Sequence, residues 1–277
     1  MHIDLDKVLE GKMGAKARYV PRFLRQWLKN LIHQDEINAI VERAGDRQGA
    51  DWIQYCLDEL DVRIEIHGVE NLPQKETAEQ YTFVSNHPLG GLDGLALGMV
   101  LGRHFDGKVK FLVNDLLMNV EALAPLFVPI NKTGKQSRNL PKLVDDCFAG
   151  KHAVIMFPAG LCSRSNKGII HDLPWRKTFV AKSRQSNRSV VPVYFSGQNS
   201  KRFYRIANWQ KRLGIKFNFA MLFLPDEMFR NQHKTFHIVF GEPITHSTLT
   251  AEKSNQDWAQ TIENKAYGLS QTIESIN

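Results

Sequence analysis

A chain of 277 residues, 43% of them hydrophobic, is long enough to bury a sizeable core as one domain, with or without an appended segment. The net charge of +7 suits an anionic partner, but zinc-finger spacing, a Gly-rich Walker loop and an aromatic RNA-binding signature are all absent, so no nucleic acid is expected. Cys56, Cys147 and Cys162 are odd in number and far apart with no C-x-x-C, which argues against a disulfide framework or structural zinc and suits a reducing compartment.

The first sixty or so residues read as helical. Between Tyr19 and Ile32 the apolar residues Val20, Phe23, Leu24, Trp27, Leu28, Leu31 and Ile32 recur at three- and four-residue spacing, while Arg18, Arg22, Arg25 and Lys29 fall on the flank or the opposite face. That pattern fits an interfacial membrane helix, and equally an amphipathic helix packed on the domain core. A second helix is expected at Asp51–Leu60. Strands then follow at Val62–His67 and Tyr81–Ser85, a helix at Leu95–His104 and a strand at Lys108–Val113. Leu116–Ala124 reads as helix, Leu126–Ile130 as a short strand, Asn139–Ala149 as helix and Ala153–Phe157 as strand. Trp175–Arg184 reads as helix, Val190–Phe195 as strand and Phe203–Arg212 as helix. Phe217–Leu224 and Phe236–Phe240 read as late strands, and Glu252–Ile273 as a closing helix.

Such alternation predicts an α/β fold, a largely parallel mixed sheet flanked by helices, with a helical N-terminal region. Residues 1–61 are expected to form that region and residues 62–277 the domain that carries the motifs below. No apolar signal core and no run of 18 apolar residues occurs, so an integral membrane protein is not expected.

The chemistry concentrates in Asn86-His87-Pro88-Leu89-Gly90-Gly91-Leu92-Asp93, where an apolar strand ends and a helix begins. Glycine takes positive φ without steric cost, so Gly90-Gly91 can turn the chain back and bring Asp93 to one ring nitrogen of His87. An imidazole oriented by a carboxylate is a good general base for a hydroxyl. The plainer alternative is a helix N-cap aspartate beside an ordinary loop histidine. Two further apolar runs end in Phe157-Pro158-Ala159-Gly160-Leu161-Cys162-Ser163-Arg164 and Val190-Val191-Pro192-Val193.

Taken together, these blocks resemble the lysophospholipid (phospholipid/glycerol) acyltransferase family over about residues 62–244, and look most like bacterial lyso-ornithine- and glycine-lipid O-acyltransferases. The family's strand-end N-H-x4-D block reads here as N-H-x5-D. Its F-P-E-G-x-R-S block reads as F-P-A-G-L-C-S-R, and its V-P-V strand is kept. Leu126-Phe127-Val128-Pro129-Ile130 resembles the family's intermediate G-x-x-F-I-x-R block. Three departures stand out: the extra residue between His87 and Asp93, Ala159 in place of the family's glutamate, and Ile130 in place of its arginine, with only Lys132 nearby. In the family, that glutamate and arginine are associated with a glycerol-phosphate acceptor. Their loss argues against glycerol 3-phosphate and tilts the expected acceptor toward a lyso-aminolipid rather than a lysophospholipid.

The resemblance implies acyl transfer from an acyl-carrier protein or coenzyme A thioester to a lysolipid hydroxyl, with His87 as base and Asp93 orienting it. No cofactor is expected, and no metal, because His87 and Asp93 have no H-E-x-x-H or similar companion. Backbone N–H groups of Gly90 and Gly91 are the expected oxyanion donors. Asn86, Phe157, Pro158, Gly160, Arg164, Arg176 and Lys177 are the expected substrate-binding residues. His171-Asp172 reads as structural, since adjacent loop residues rarely orient one another, and Cys162 as a small core residue. The expected location is the cytoplasm, peripheral on the inner face of the cell membrane, with the lipid surface as partner and an acyl-carrier protein as a possible second one. The competing expectation is a catalytically inactive lipid-binding protein; hydrolysis in the same site is a third.

Overall fold

In a computed structural model, which describes residues 3–75, 79–113, 120–129, 140–215 and 218–276, the chain forms one large sheet between helical layers. The strands are β1 (Arg63–His67), β2 (Gln80–Ser85), β3 (Val109–Val113), β4 (Phe127–Pro129), β5 (Ala153–Met156), β8 (Arg188–Phe195) and β9 (Thr235–Phe240). They lie in the order β1-β9-β8-β2-β5-β3-β4, and a two-stranded hairpin, β6 (Arg164–Asn166) with β7 (Ile169–His171), stands apart. All neighbours in the large sheet are parallel except β8 and β9. The sheet is thus mixed and mostly parallel, as the alternation of apolar runs predicts.

Both faces of the central strands are covered, which explains why they read as continuous apolar runs rather than alternating ones. Phe83, Val191, Val193 and Phe195 belong to one core, with Leu97 and Leu101 of α5 (Leu92–His104) and Ile53 and Leu57 of α4 (Gly49–Glu59). Val84 and Val190 belong to another, with Phe179 of α7 (Thr178–Gln185) and Trp258, Ala259 and Ile262 of α10 (Asn255–Gly268). Full burial of each large side chain is worth about 1.5–3 kcal/mol, so these two layers dominate stability.

The N-terminal region comprises α1 (Leu5–Met13), α2 (Arg22–Leu31), α3 (Gln34–Ala44) and α4. Trp52, Ile53, Cys56, Leu57 and Leu60 place α4 inside the larger core, joined by Ile40 and Ala44 of α3. The α2 pattern splits in two. Leu24 and Leu28 are half-buried, and Leu31 is buried. Arg25 and Lys29 face α1, pairing with Asp6 at 2.9 and 2.6 Å. Tyr19, Phe23 and Trp27, spaced four apart, remain 71, 77 and 50% exposed.

Three expected elements differ. The run Phe217–Leu224 is not a strand in its described part: Phe219–Phe223 is a 3-10 turn leading into α9 (Leu224–Arg230). Pro225 in the first turn, followed by Asp226 and Glu227 at the positive end of the helix dipole, favours helix, and the apolar run before it masks that start. The closing helix is interrupted at Leu269, giving α10 and α11 (Ser270–Glu274). Of Leu116–Ala124, residues 116–119 lie outside the described residues, and Glu121–Leu123 is a 3-10 turn. Ile130 and Lys132 also lie outside them. The remaining helices, α6 (Leu140–Ala149) and α8 (Lys201–Arg212), fall where expected.

Candidate active site

The site forms at the carboxyl ends of β2 and β5, where a parallel sheet leaves a crevice between departing loops. After Ser85, Asn86 anchors the turn. Its amide donates to Phe195 O at 2.9 Å, and its Oδ1 accepts from Phe195 N at 2.7 Å, so the end of β2 is held to the end of β8. Expected as a substrate contact, Asn86 is buried with both amide groups committed to the framework.

His87 follows. Its Nδ1 lies 3.0 Å from Asp93 Oδ2, which leaves Nε2 free of any protein partner among the described residues. The loop turns back at Gly90. Its φ of +80° is a conformation that residues with a Cβ rarely adopt, and a Cβ there would lie 2.9 Å from Leu224 Cδ2. The same turn aims the Leu89 and Gly90 N–H groups at Asp93 Oδ2, at 3.0 and 3.3 Å, while Gly94 N donates to Oδ1 at 2.9 Å. Asp93 is fully buried but accepts from four donors.

Burial opposes charge on both members of this pair, but their mutual attraction outweighs it. The His87 imidazole is raised above its usual 6.5, with the Asp93 charge and hydrogen bond as the raising causes and Asp172 adding to them. The Asp93 carboxyl is held below the usual aspartate value despite burial, by His87 and the loop amides. Phe157 stacks on the imidazole with ring centroids 4.0 Å apart, fixing the ring plane.

Of the two expected oxyanion donors, Gly90 N–H is committed to Asp93, whereas nothing among the described residues accepts from Gly91 N–H at the start of α5. Pro158 and Gly160 shape the turn after β5: Gly160 N donates to Phe157 O at 3.0 Å, and Pro158 O accepts from Arg176 N at 3.2 Å. The Arg176 guanidinium lies over Gly160, about where a side chain there would make contact, and Arg176 forms no ion pair among the described residues. Lys177 is exposed and precedes α7. Arg164 bends back on its own loop, donating to the carbonyls of Cys162 and Ser163 and lying over the Phe203 ring at 5.9 Å. Cys162 is buried and its thiol is pushed up by burial, which suits packing rather than nucleophilic attack.

Ala159, in the position of the family's glutamate, belongs to the apolar cluster of Val84, Trp175, Phe179 and Val180. A carboxylate here would be desolvated, so the exchange to alanine accompanies a closed, apolar wall.

Asp172, read from sequence as structural, reaches the dyad. It accepts from the His87 backbone N–H at 3.2 Å, from Ser163 Oγ at 2.5 Å and from Trp175 Nε1 at 3.1 Å. Burial pushes its carboxyl up against the pull of these donors. Its neighbour His171 instead stacks on Tyr267 at 3.8 Å. Residues 87 and 172 are 85 apart in sequence, and no local pattern links them.

A family model described as Acyltransferase matches residues 7–275. A lyso-glycine lipid O-acyltransferase from Bacteroides thetaiotaomicron is 54% identical over 267 residues, covering 96% of this chain and 97% of that protein. One of the same name from Phocaeicola vulgatus is 52% identical, covering 96% and 95%. Among solved structures, the 1-acyl-sn-glycerophosphate (LPA) acyltransferase PlsC from Thermotoga maritima is 13% identical with a TM-score of 0.44, covering 89% of this chain and 95% of that one.

Proposed function

The chain belongs to the acyltransferase family, and from that premise we propose that it esterifies the hydroxyl of a lyso-glycine lipid with a fatty acyl group taken from a thioester. The observation that carries the chemistry is the His87 Nδ1–Asp93 Oδ2 contact of 3.0 Å with Nε2 left open. The acceptor follows from the two relatives more than 50% identical along nearly the whole chain. The apolar wall at Ala159 agrees with it, since no acidic side chain is offered there.

His87 Nε2 takes the proton of the acceptor hydroxyl as its oxygen attacks the thioester carbonyl. Asp93 fixes the tautomer and stabilises the imidazolium that forms. Such general-base help is worth roughly 10²–10⁴-fold. Gly91 N–H donates to the oxyanion. Collapse of the tetrahedral intermediate breaks the C–S bond, and the imidazolium returns its proton to the departing sulfur. Ester and free thiol leave together. The same steps serve a coenzyme A or an acyl-carrier-protein donor.

A glycine head group carries a carboxylate, and Arg176 over the Gly160 turn is the cation that meets it. The aromatic stripe Tyr19, Phe23 and Trp27 inserts into the bilayer that holds the acceptor. His33, just beyond α2, lies 3.3 Å from Asp226 of α9, and Leu224 at the start of α9 abuts Gly90. These contacts join the segment after α2 to the dyad loop through α9. Among the described residues no helix is long and apolar enough to cross a membrane, in keeping with a peripheral attachment.

Purified protein supplied with acyl-carrier-protein or coenzyme A thioesters and either lyso-glycine lipid or lysophosphatidic acid tests the reading. Ester formation on the glycine lipid alone is expected. Preference for lysophosphatidic acid overturns the acceptor, and release of free fatty acid without acceptor overturns transfer.

A further inference from the structure

At the β1 edge of the sheet three potential ligand groups converge on one point. Glu65 and His67 are two residues apart on the edge strand β1 and so share a face, and Glu65 is in register with His237 on β9. His67 Nε2 lies 3.1 Å from His237 Nδ1, and Glu65 Oε2 lies 3.3 Å from the same Nδ1, all three ligand atoms falling within 4.8 Å of one another. The β9 backbone beneath is fixed: His237 N donates to Ser196 Oγ at 2.8 Å, and His237 O accepts from Ser196 N at 2.9 Å.

Neutral imidazoles do not satisfy this arrangement. If His237 Nδ1 carries the proton, it serves two acceptors at once. If His67 Nε2 carries it, the Glu65 carboxylate faces a lone pair on Nδ1. One cation at the centre satisfies all three lone pairs. Tetrahedral ligands about 2.0–2.1 Å from zinc lie about 3.3 Å apart, close to the 3.1 and 3.3 Å separations here.

We propose that Glu65, His67 and His237 bind a divalent transition-metal ion of the zinc class. Two imidazoles and one carboxylate favour zinc over magnesium or calcium, which take all-oxygen sets. Glu65 is 56% exposed, so the ion has an entry path and a fourth position open to water. The site is apart from the dyad: in the sheet order β1-β9-β8-β2 its nearer strand, β9, is two strand steps from β2, roughly 10 Å at the usual strand spacing. The ion therefore clips the edge strand β1, which carries α4 before it, onto β9, and takes no part in acyl transfer.

The test is calorimetric titration of chelator-stripped full-length protein with ZnCl2, with MgCl2 as control, alongside the visible absorption of the Co²⁺-loaded form. Expected are one saturable equivalent of zinc, a raised Tm, tetrahedral Co²⁺ bands and no response to Mg²⁺. His67→Ala and His237→Ala should each weaken zinc binding about a hundred-fold or more while keeping acyl-transfer activity. Should either variant fail to fold, Glu65→Gln on the exposed strand edge should still fold and bind zinc more weakly. No saturable zinc binding by wild type, or affinity unchanged in all three variants, overturns the site. Because metal binding is read directly, neither result depends on which lipid the enzyme acylates.

Discussion

The carboxylate of Asp172 accepts the backbone N–H of His87 at 3.2 Å, so the residue that carries the proposed base is held from its main chain as well as from Asp93. The same carboxylate collects Ser163 Oγ and Trp175 Nε1, tying the loops after β2 and β5 into one unit. Its negative charge also helps hold the His87 pKa up.

Asp172→Asn removes that charge and turns one acceptor into a donor facing N–H and O–H groups. Stability should fall by about 1–3 kcal/mol, because buried donors lose their partner. The acid limb of kcat/KM should move to lower pH, since His87 loses a group that raises its pKa. A merely structural role would lower Tm and leave that limb in place.

Asp93→Asn keeps an oxygen for the Leu89 and Gly90 N–H groups but offers an N–H₂ to His87 Nδ1, favouring the tautomer with Nε2 protonated. The base is then blocked, and kcat should fall by roughly 10³–10⁴-fold with little change in acceptor KM. Unaltered circular dichroism would confirm that the loop is retained.

The pH dependence has a definite sign. The proposed base must be neutral His87, and Asp93 holds its imidazole above the usual histidine value, so kcat/KM should fall as pH drops through a value raised above that of an ordinary histidine. An acid limb at or below the ordinary histidine value would contradict the raised imidazole that the Asp93 contact implies.

Replacing the aromatic stripe, Phe23→Ser with Trp27→Ser, removes apolar side chains that are 77 and 50% exposed. Binding to anionic vesicles should weaken at least about ten-fold with Tm unchanged. Activity on short-chain soluble acceptors should persist. Equal vesicle binding by the variant would remove α2 from the membrane contact.

Arg188 is fully buried at the start of β8 and donates to the carbonyls of Tyr81, Phe148, Gly150 and His152; burial lowers its pKa to about 10. Arg188→Met leaves those carbonyls unpaired and should cost about 2–4 kcal/mol in chemical denaturation. It lies at the far end of β8 from the dyad, so kinetic constants of the folded fraction should be unchanged.

The central strands and the dyad were legible because both depend on local pattern. Apolar runs such as Tyr81–Ser85 mark buried parallel strands, and a histidine and an aspartate six residues apart around Gly90-Gly91 can meet through one turn. Asp172, Glu65, His67 and His237 were not legible, since their contacts join segments 85 and 170 residues apart and depend on strand order. At Phe217–Leu224 an apolar run hid a helix start, which Pro225 and two acidic residues signal. For α2 the periodicity identified the helix but not which half of its wide apolar face is covered; that was decided by Asp6 drawing Arg25 and Lys29 inward. Asn86 sits in the expected motif, but only the β2–β8 pairing shows its amide closing on Phe195.

The most direct test is lipid mass spectrometry of cells lacking the gene, complemented with wild type or with His87→Ala. The diacyl glycine lipid should disappear on deletion while its monoacyl precursor accumulates, and only wild type should restore it. Restoration by His87→Ala would contradict catalysis by this dyad. Unchanged glycine lipids with altered phosphatidic-acid-derived lipids would contradict the acceptor.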